Sequence, residues 1–243
     1  MRIHQYMGIA LLSLLSLNSL AQVNLAEPHR RPADLTRDAT SHPQETMDLM
    51  KIKPGMVVLD LLGGSGYFSE LLSQQVGDKG KVLLHNNKAY YPFIGKELEA
   101  RLGDGHLKNV LRYDREVDQL GLEENSLDAV YFVMGYHDMY HVSKQWLINP
   151  PELLGQIKKA LKPNGLMLVI DHAAPANSKT TYSQEQHRID EVYVKDELAK
   201  FSFETVAQSD ILRNPQDSRT NSVFDPSIRS KTDRFVLVVK NIK

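Results

Sequence analysis

The feature that most constrains the fold is an apolar run that ends in a cluster of glycines. Residues Met56–Leu62 are apolar except for Asp60, as expected of a strand buried on both faces of a parallel sheet. The tetrapeptide Gly63–Gly66, of sequence Gly-Gly-Ser-Gly, follows at once, and Tyr67–Leu72 has the apolar spacing of a helix. The segment therefore predicts a strand, a tight glycine turn and a helix, a unit from which open α/β sheets are built.

Further apolar runs alternate with helical segments along the chain. The other expected parallel strands are Lys81–His85, Asn109–Tyr113, Leu127–Met134 and Leu166–Ile170. A helix is expected over Pro151–Leu161, and the Lys-Pro-Asn-Gly turn at 162–165 closes it. Such a long alternation predicts an α/β sheet with right-handed crossovers.

The pattern changes after Asp171. A helix is expected near Val194–Phe201, followed by strands near Phe203–Ser209 and Phe235–Val239. No helix is evident between these two strands, and a parallel connection needs such a crossover. The last strand is therefore expected to be antiparallel to its neighbours.

Charge and cysteine content exclude several function classes. The 29 Lys and Arg residues against 30 Asp and Glu give a net charge of -1, which lacks the positive field of a nucleic-acid-binding protein. The chain contains no cysteine, which excludes disulfides, thiolate nucleophiles and cysteine-ligated metals. The sequence therefore predicts no nucleic-acid partner, and it does not indicate the oligomeric state.

The amino terminus has the pattern of a secretory signal peptide. Arg2 and His4 precede the apolar run Ile9–Leu20, and small residues end the segment at Ala21. The run is shorter than the ~20 apolar residues of a membrane-spanning helix. We expect cleavage near Ala21, a periplasmic or secreted mature protein, and no stable membrane insertion after cleavage. Residues 22–52 form a polar lead-in with a helix from Pro43 to Met50, and residues 53–243 form the main domain.

Several motifs together resemble the class I S-adenosylmethionine-dependent methyltransferases. They are Val57–Asp60 with its glycine turn, Ser126–Val130, Leu161–Gly165 and the closing antiparallel strand. The stretches at 187–190, 214–217 and 223–226 are similar to a little-characterised bacterial group of exported predicted methyltransferases. The resemblance implies a Rossmann-like seven-stranded, mostly parallel sheet with helices on both faces and an antiparallel last strand.

The resemblance also implies the cofactor and the residues that contact it. S-adenosylmethionine would lie at the carboxyl edge of the sheet, where open α/β folds bind ligands. The residues that match the family's cofactor positions are Asp60, Gly63, Gly64, Gly66, Asn86, Glu116 and Val117. Asp60 has an alternative interpretation as a helix-capping acid, and Asn86 as a turn residue.

Two departures keep a second function open. Leu62 stands where the family has its first glycine, and Asn86 stands where an acid holds the ribose hydroxyls. The main prediction is a methyltransferase that acts on a small molecule. The alternative is an exported pseudoenzyme or ligand-binding module that keeps the fold without catalysis.

Candidate catalytic residues follow the fourth and fifth strands. His137 and Asp138 come after one strand and His172 after the other, and each histidine is a candidate general base. Alternatively, His137 and Asp138 cap the following helix. A zinc, iron or manganese site is an alternative, because histidine and carboxylate groups suit these ions. It would use His137, Asp138, His141, Asp171 and His172. Their spacing does not favour such a site, and no metal is predicted.

Overall fold

The computed structural model describes residues 22–144 and 146–243, so the predicted signal peptide lies outside the described residues. The helices are α1 (Pro32–Ser41), α2 (Pro43–Asp48), α3 (Tyr67–Val76), α4 (Tyr91–Leu102), α5 (Pro150–Ala160), α6 (Ser183–Gln186) and α7 (Glu191–Lys200). The strands are β1 (Val57–Leu61), β2 (Lys81–Asn86), β3 (Val110–Asp114), β4 (Leu127–Val133), β5 (Leu161–His172), β6 (Phe203–Ser209) and β7 (Arg234–Asn241). Short 3₁₀ turns lie at Lys88–Tyr90 and His137–Tyr140.

The strands of the described residues form one seven-stranded sheet in the order β3-β2-β1-β4-β5-β7-β6. Neighbouring strands from β3 to β5 are parallel, and β7 is antiparallel to both β5 and β6. The expected fold class, with its antiparallel last strand, is confirmed. The carboxyl ends of β1, β2, β4 and β5 meet at one edge of the sheet, where the predicted site residues also lie.

The start of β5 differs from the sequence expectation. Leu127 pairs with Leu161 and Ala129 pairs with Leu166, so residues 162–165 loop out between two paired segments of the same strand. The sequence predicts that this turn separates the helix from the strand. In the structure, β5 begins before the turn, because Leu161 already pairs with β4. The strand near Phe203–Ser209 is confirmed as β6. Helix α7 begins at Glu191 because the side chain of Asp190 accepts the backbone N–H of Val192 at 3.0 Å.

The core has two apolar clusters that include alternate residues of the strands. One contains Leu59 and Phe132 with residues of α5 and α7 such as Leu154 and Leu198. The other contains Val58, Tyr131 and residues of α3 and the lead-in, among them Leu71 and Met47. Parallel strands covered on both faces account for the near-continuous apolar runs in the sequence.

The lead-in packs onto the sheet domain through apolar residues such as Met47 and through ion pairs. Arg101 of α4 is buried and forms ion pairs with Asp34 of α1, at 2.7 Å, and with Glu70 of α3. The predicted helix starting at Pro43 is α2, whereas α1 was not predicted. The division between residues 52 and 53 stays a prediction. Among the described residues, no helix has the length and apolar character needed to cross a membrane.

Candidate active site

The glycine turn joins β1 to α3 at the carboxyl edge of the sheet. Leu62 has a φ of 51°, Gly64 one of 61° and Gly66 one of 86°. A Cβ atom added to Gly64 would meet no atom within 4 Å, whereas one added to Gly66 would lie 2.8 Å from Leu84 Cδ2. The backbone of Gly64 therefore faces open space, and Gly66 allows the turn to pack against β2.

Asp60 lies beneath this turn and bonds to the first turn of α3. Its carboxylate is 2% exposed and accepts a 2.6 Å hydrogen bond from Ser69 Oγ. Burial raises the pKa of Asp60 to about 6, against the lowering effect of the Ser69 bond. A Cβ atom on Gly63 would lie 2.6 Å from Asp60 Cγ, so Gly63 makes room for the carboxylate. Cofactor contact by either residue stays a prediction.

Asn86, at the end of β2, is fully buried and braces the glycine turn. Its Nδ2 donates to the Gly64 carbonyl at 2.8 Å, and its Oδ1 accepts the Gly64 N–H at 3.0 Å. An amide can make this reciprocal pair because it carries both a donor and an acceptor, and a carboxylate cannot. This geometry explains why Asn86 stands where the resembling family has an acid. The hydrogen bond to ribose that the resemblance implies would compete with these two bonds to Gly64.

We expect Asn86→Asp to lower the free energy of unfolding by about 1–3 kcal/mol. The substitution removes the donor to the Gly64 carbonyl and places a carboxylate oxygen against that carbonyl. Urea unfolding measures the effect. Asn125→Asp, at an exposed turn, is the control and should change stability by less than about 0.5 kcal/mol. An Asn86→Asp protein of unchanged stability that binds S-adenosylhomocysteine more tightly would contradict the bracing role.

The two residues predicted to contact adenine differ in exposure. Glu116 is exposed, accepts the Lys88 backbone N–H at 3.3 Å, and borders a cavity of about 420 Å³. Val117 is 5% exposed and belongs to an apolar core cluster. The carboxylate of Glu116 is therefore accessible to a ligand, while the side chain of Val117 contributes to the core. Both adenine contacts stay predictions.

His137 lies between two carboxylates just after β4. Its Nδ1 is 2.7 Å from Asp171 Oδ1, its backbone N–H donates to Asp171 Oδ2 at 2.9 Å, and its Nε2 is 3.2 Å from Asp138 Oδ1. Burial alone would lower the pKa of His137, but the two carboxylates outweigh it and raise the pKa to about 10. His137 is therefore protonated at neutral pH, a state in which it cannot accept a proton as a base.

Asp138 faces a largely apolar cavity of about 440 Å³ near this edge of the sheet. Its Oδ2 accepts a 2.8 Å hydrogen bond from Tyr90 Oη, and its Oδ1 is 3.6 Å from His187 Nδ1. Burial would raise the pKa of Asp138, but His137, His187 and Tyr90 hold it well below its usual range. Trp146 and Phe224 form aromatic parts of the wall. The sequence did not assign Tyr90 to the site, and no spacing signal links it to Asp138.

His172 faces a different cavity, of about 200 Å³, which Met134 and Arg234 also line. Its ring centroid is 6.0 Å from that of His137, and its Nδ1 is 2.7 Å from Thr232 Oγ1. Burial lowers the pKa of His172 well below 6.5, and the charges of His137 and Arg234 lower it further. His172 is therefore a neutral imidazole, the state required of a proton acceptor.

Three atoms with metal-ligating chemistry lie within 4.8 Å of one another, one each from His137, Asp138 and His187. The group shares His137 and Asp138 with the set that the sequence suggested, and it adds His187. The two ring nitrogens of His137 already lie at hydrogen-bond distance from Asp171 and from Asp138. The absence of a metal stays a prediction.

The protonation of His137 predicts how stability changes with pH. Its pKa rises from 6.5 in the unfolded chain to about 10 in the folded chain. The stabilisation is therefore complete below about pH 6.5 and is lost as the pH rises through about 10. Ring NMR should show His137 charged at about pH 8 and His172 neutral at about pH 6. A His137 ring that titrates near its ordinary value would contradict the prediction.

Comparison with known proteins identifies the family of the chain. The sequence model of the ubiE/COQ5 methyltransferase family matches residues 40–194. The ubiquinone/menaquinone biosynthesis C-methyltransferase UbiE of Legionella pneumophila (strain Lens) is 30% identical over 130 residues, 54% of this chain and 48% of that protein. UbiE of Shewanella sp. (strain W3-18-1) is 25% identical over 189 residues, 75% of this chain and 70% of that protein. The chain thus spans about half the length of the Legionella relative.

The fold is also similar to that of solved methyltransferases. A SAM dependent methyltransferase from Aquifex aeolicus superposes with a TM-score of 0.64 at 20% identity, covering 85% of this chain and 93% of that one. The family match extends from α1 through the glycine turn, His137 and His172 into α7. The expected class and its cofactor, S-adenosylmethionine, are thereby confirmed at the level of the family. The chain belongs to the ubiE/COQ5 methyltransferase family.

Proposed function

We propose that this chain transfers a methyl group from S-adenosylmethionine to a small molecule. The observation that carries the proposal is the open face of the Gly64 backbone at the end of β1. The exposed Glu116 carboxylate beside its cavity lies at the same edge of the sheet. Both features fit this cofactor. The open space at Gly64 admits a ligand that a Cβ atom would block, and the Glu116 carboxylate can accept a hydrogen bond from the adenine amine.

The residues of the turn would hold the cofactor. Gly64 and Glu116 are accessible, while Asp60, Gly63 and Gly66 shape the turn beneath them. When bound, the cofactor supplies an electrophilic methyl group. Transfer of that group is an in-line displacement, so the chain contributes mainly by aligning the acceptor and excluding water. Asn86 contributes by fixing the backbone of Gly64.

Two candidate catalytic residues take different roles in this proposal. His172 is neutral and lies at the end of β5, so it is the proton acceptor for the nucleophile of the methyl acceptor. His137 is protonated and holds the Asp138 carboxylate, which faces the aromatic cavity. The Asp138 carboxylate can accept a hydrogen bond from the methyl-accepting substrate in that cavity. His137 thus positions a charged group of the site.

The small-molecule acceptor is supported by two features. The site cavities have volumes of about 440 and 200 Å³, which suit a compact molecule. The net charge of -1 gives no field for nucleic acid.

Isothermal titration with S-adenosylmethionine and S-adenosylhomocysteine tests the proposal. We expect saturable binding of both at micromolar to low millimolar concentrations. If neither binds to the folded protein at millimolar concentration, the enzyme proposal fails. That result would favour the pseudoenzyme or binding module that Leu62 and Asn86 first suggested.

Export is a separate proposal that rests on residues 1–21 alone, and it places the chain in an exported group of methyltransferases. A leader cleaved near Ala21 would deliver the protein to the periplasm or the exterior. Amino-terminal sequencing of the protein purified from its native host should then begin near Gln22. A cytosolic species that retains Met1 would overturn the export proposal and leave the methyltransferase proposal unaffected.

A further inference from the structure

A pocket of about 200 Å³ carries three arginines at the ends of β5 and β7. Arg37 comes from α1, Arg229 from the loop before β7, and Arg234 from the first residue of β7. His172 and Thr232 also line the pocket. Arg234 is the sheet partner of His172, so the positive charges lie beside the candidate proton acceptor.

These three arginines have no carboxylate partner within 4.0 Å among residues 22–144 and 146–243. Arg37 Nε is 3.4 Å from Ser41 Oγ, and the guanidinium lies 4.0 Å from the centroid of the Tyr67 ring. The Arg234 guanidinium donates one hydrogen bond, to the Thr40 carbonyl at 2.5 Å, and its Nε has no partner. The pocket thus combines several guanidinium groups with unused hydrogen-bond donors.

The acid next to Arg234 in the chain forms its ion pairs with arginines outside the pocket. Asp233 precedes Arg234 in the chain, but its carboxylate lies 2.9 Å from Arg219 and 3.4 Å from Arg213. Burial and the charge of Arg37 together lower the pKa of Arg234 to about 10, against the raising effects of Asp233 and Tyr67. Arg234 is 8% exposed, and a buried charge without a counter-charge is costly. An anion that enters the pocket would remove this cost.

We propose that this pocket binds a carboxylate or phosphate group of the methyl acceptor, an inference that rests on the proposed function. Guanidinium groups recognise both anions through paired N–H donors. Most of the pocket lies at the ends of β5 and β7, on the far side of β4 from β1, and only Arg37, over the Tyr67 ring, comes near the glycine turn. This placement assigns the anion to the acceptor and sets the reacting group of that acceptor near His172.

Titration with inorganic phosphate at constant ionic strength tests the pocket. The full-length protein should bind phosphate saturably at about millimolar concentration, and phosphate should raise its melting temperature. Arg229→Gln and Arg234→Gln should each weaken binding about tenfold or more. Lys53→Gln removes the same charge at the opposite edge of the sheet and should leave phosphate binding unchanged. Arg229 is exposed in a loop, so its variant carries the test if Arg234→Gln does not fold.

S-adenosylhomocysteine titrated into the same four proteins separates the possible failures. We expect its affinity to stay within about threefold in both arginine variants. A parallel loss of S-adenosylhomocysteine affinity would mean that the arginines hold the cofactor's own carboxylate, and would overturn the proposal. Equal phosphate binding by wild type and arginine variants would also overturn it. Phosphate binding without any S-adenosylhomocysteine binding would refute the proposed function and leave the anion site standing.

Discussion

Replacing Asp171 by Asn is expected to lower the free energy of unfolding by about 3–5 kcal/mol. Asp171 is fully buried at the end of β5 and accepts three hydrogen bonds. Two come from the backbone and ring of His137, at 2.9 and 2.7 Å, and one comes from the His172 backbone N–H, at 2.7 Å. Asn offers one acceptor oxygen and turns the other position into a donor that faces N–H groups.

The same substitution leaves the charge of His137 with a single carboxylate partner, Asp138. The pKa of His137 should therefore fall in Asp171→Asn, which ring NMR can follow. Asp114→Asn is the matched control, because Asp114 also ends a strand but its ion pair with Arg112 is partly exposed. Asp114→Asn should lower the free energy of unfolding in urea by less than about 1 kcal/mol. Similar losses in the two variants would show that the buried bonds of Asp171 contribute little.

The strands were predictable because buried parallel strands leave a direct trace in the sequence. Val57–Leu61 and Leu127–Val133 are covered on both faces, so their residues are apolar with few exceptions. The helix α1 left no such trace. Its buried residues are Asp34 and Ser41, and the ion pair of Asp34 with Arg101 of α4, at 2.7 Å, attaches it to the domain. Apolar periodicity cannot detect a helix that is held by charges.

The candidate site was predictable in position and less so in chemistry. The carboxyl ends of parallel strands share an edge, so His137 and His172 were expected near each other. The charge state of His137 depends on Asp171, which β5 brings from a distant part of the chain. The contact of His187 with Asp138 likewise needs the segment beside β5 to fold back. Spacing along the chain contains no information on such contacts.

Gly64→Ala is expected to weaken binding of S-adenosylhomocysteine by about 10–100-fold. The added methyl group would meet no protein atom within 4 Å, so it would occupy the space proposed for the ligand. Gly64→Val should abolish detectable binding, since a β-branched side chain is larger and is poorly tolerated at a φ of 61°. The left-handed backbone itself should cost about 1–2 kcal/mol of stability in the Ala variant.

Gly105→Ala isolates the backbone cost of this change. Gly105 has a φ of 71° and open space around its Cβ position, but it lies between α4 and β3, away from the glycine turn. Its Ala variant should lose similar stability and keep wild-type affinity for S-adenosylhomocysteine in isothermal titration. Gly66→Ala should instead lose stability through the 2.8 Å approach to Leu84 Cδ2. Wild-type affinity in Gly64→Ala would mean that no ligand lies over Gly64, which removes the observation that carries the proposed function.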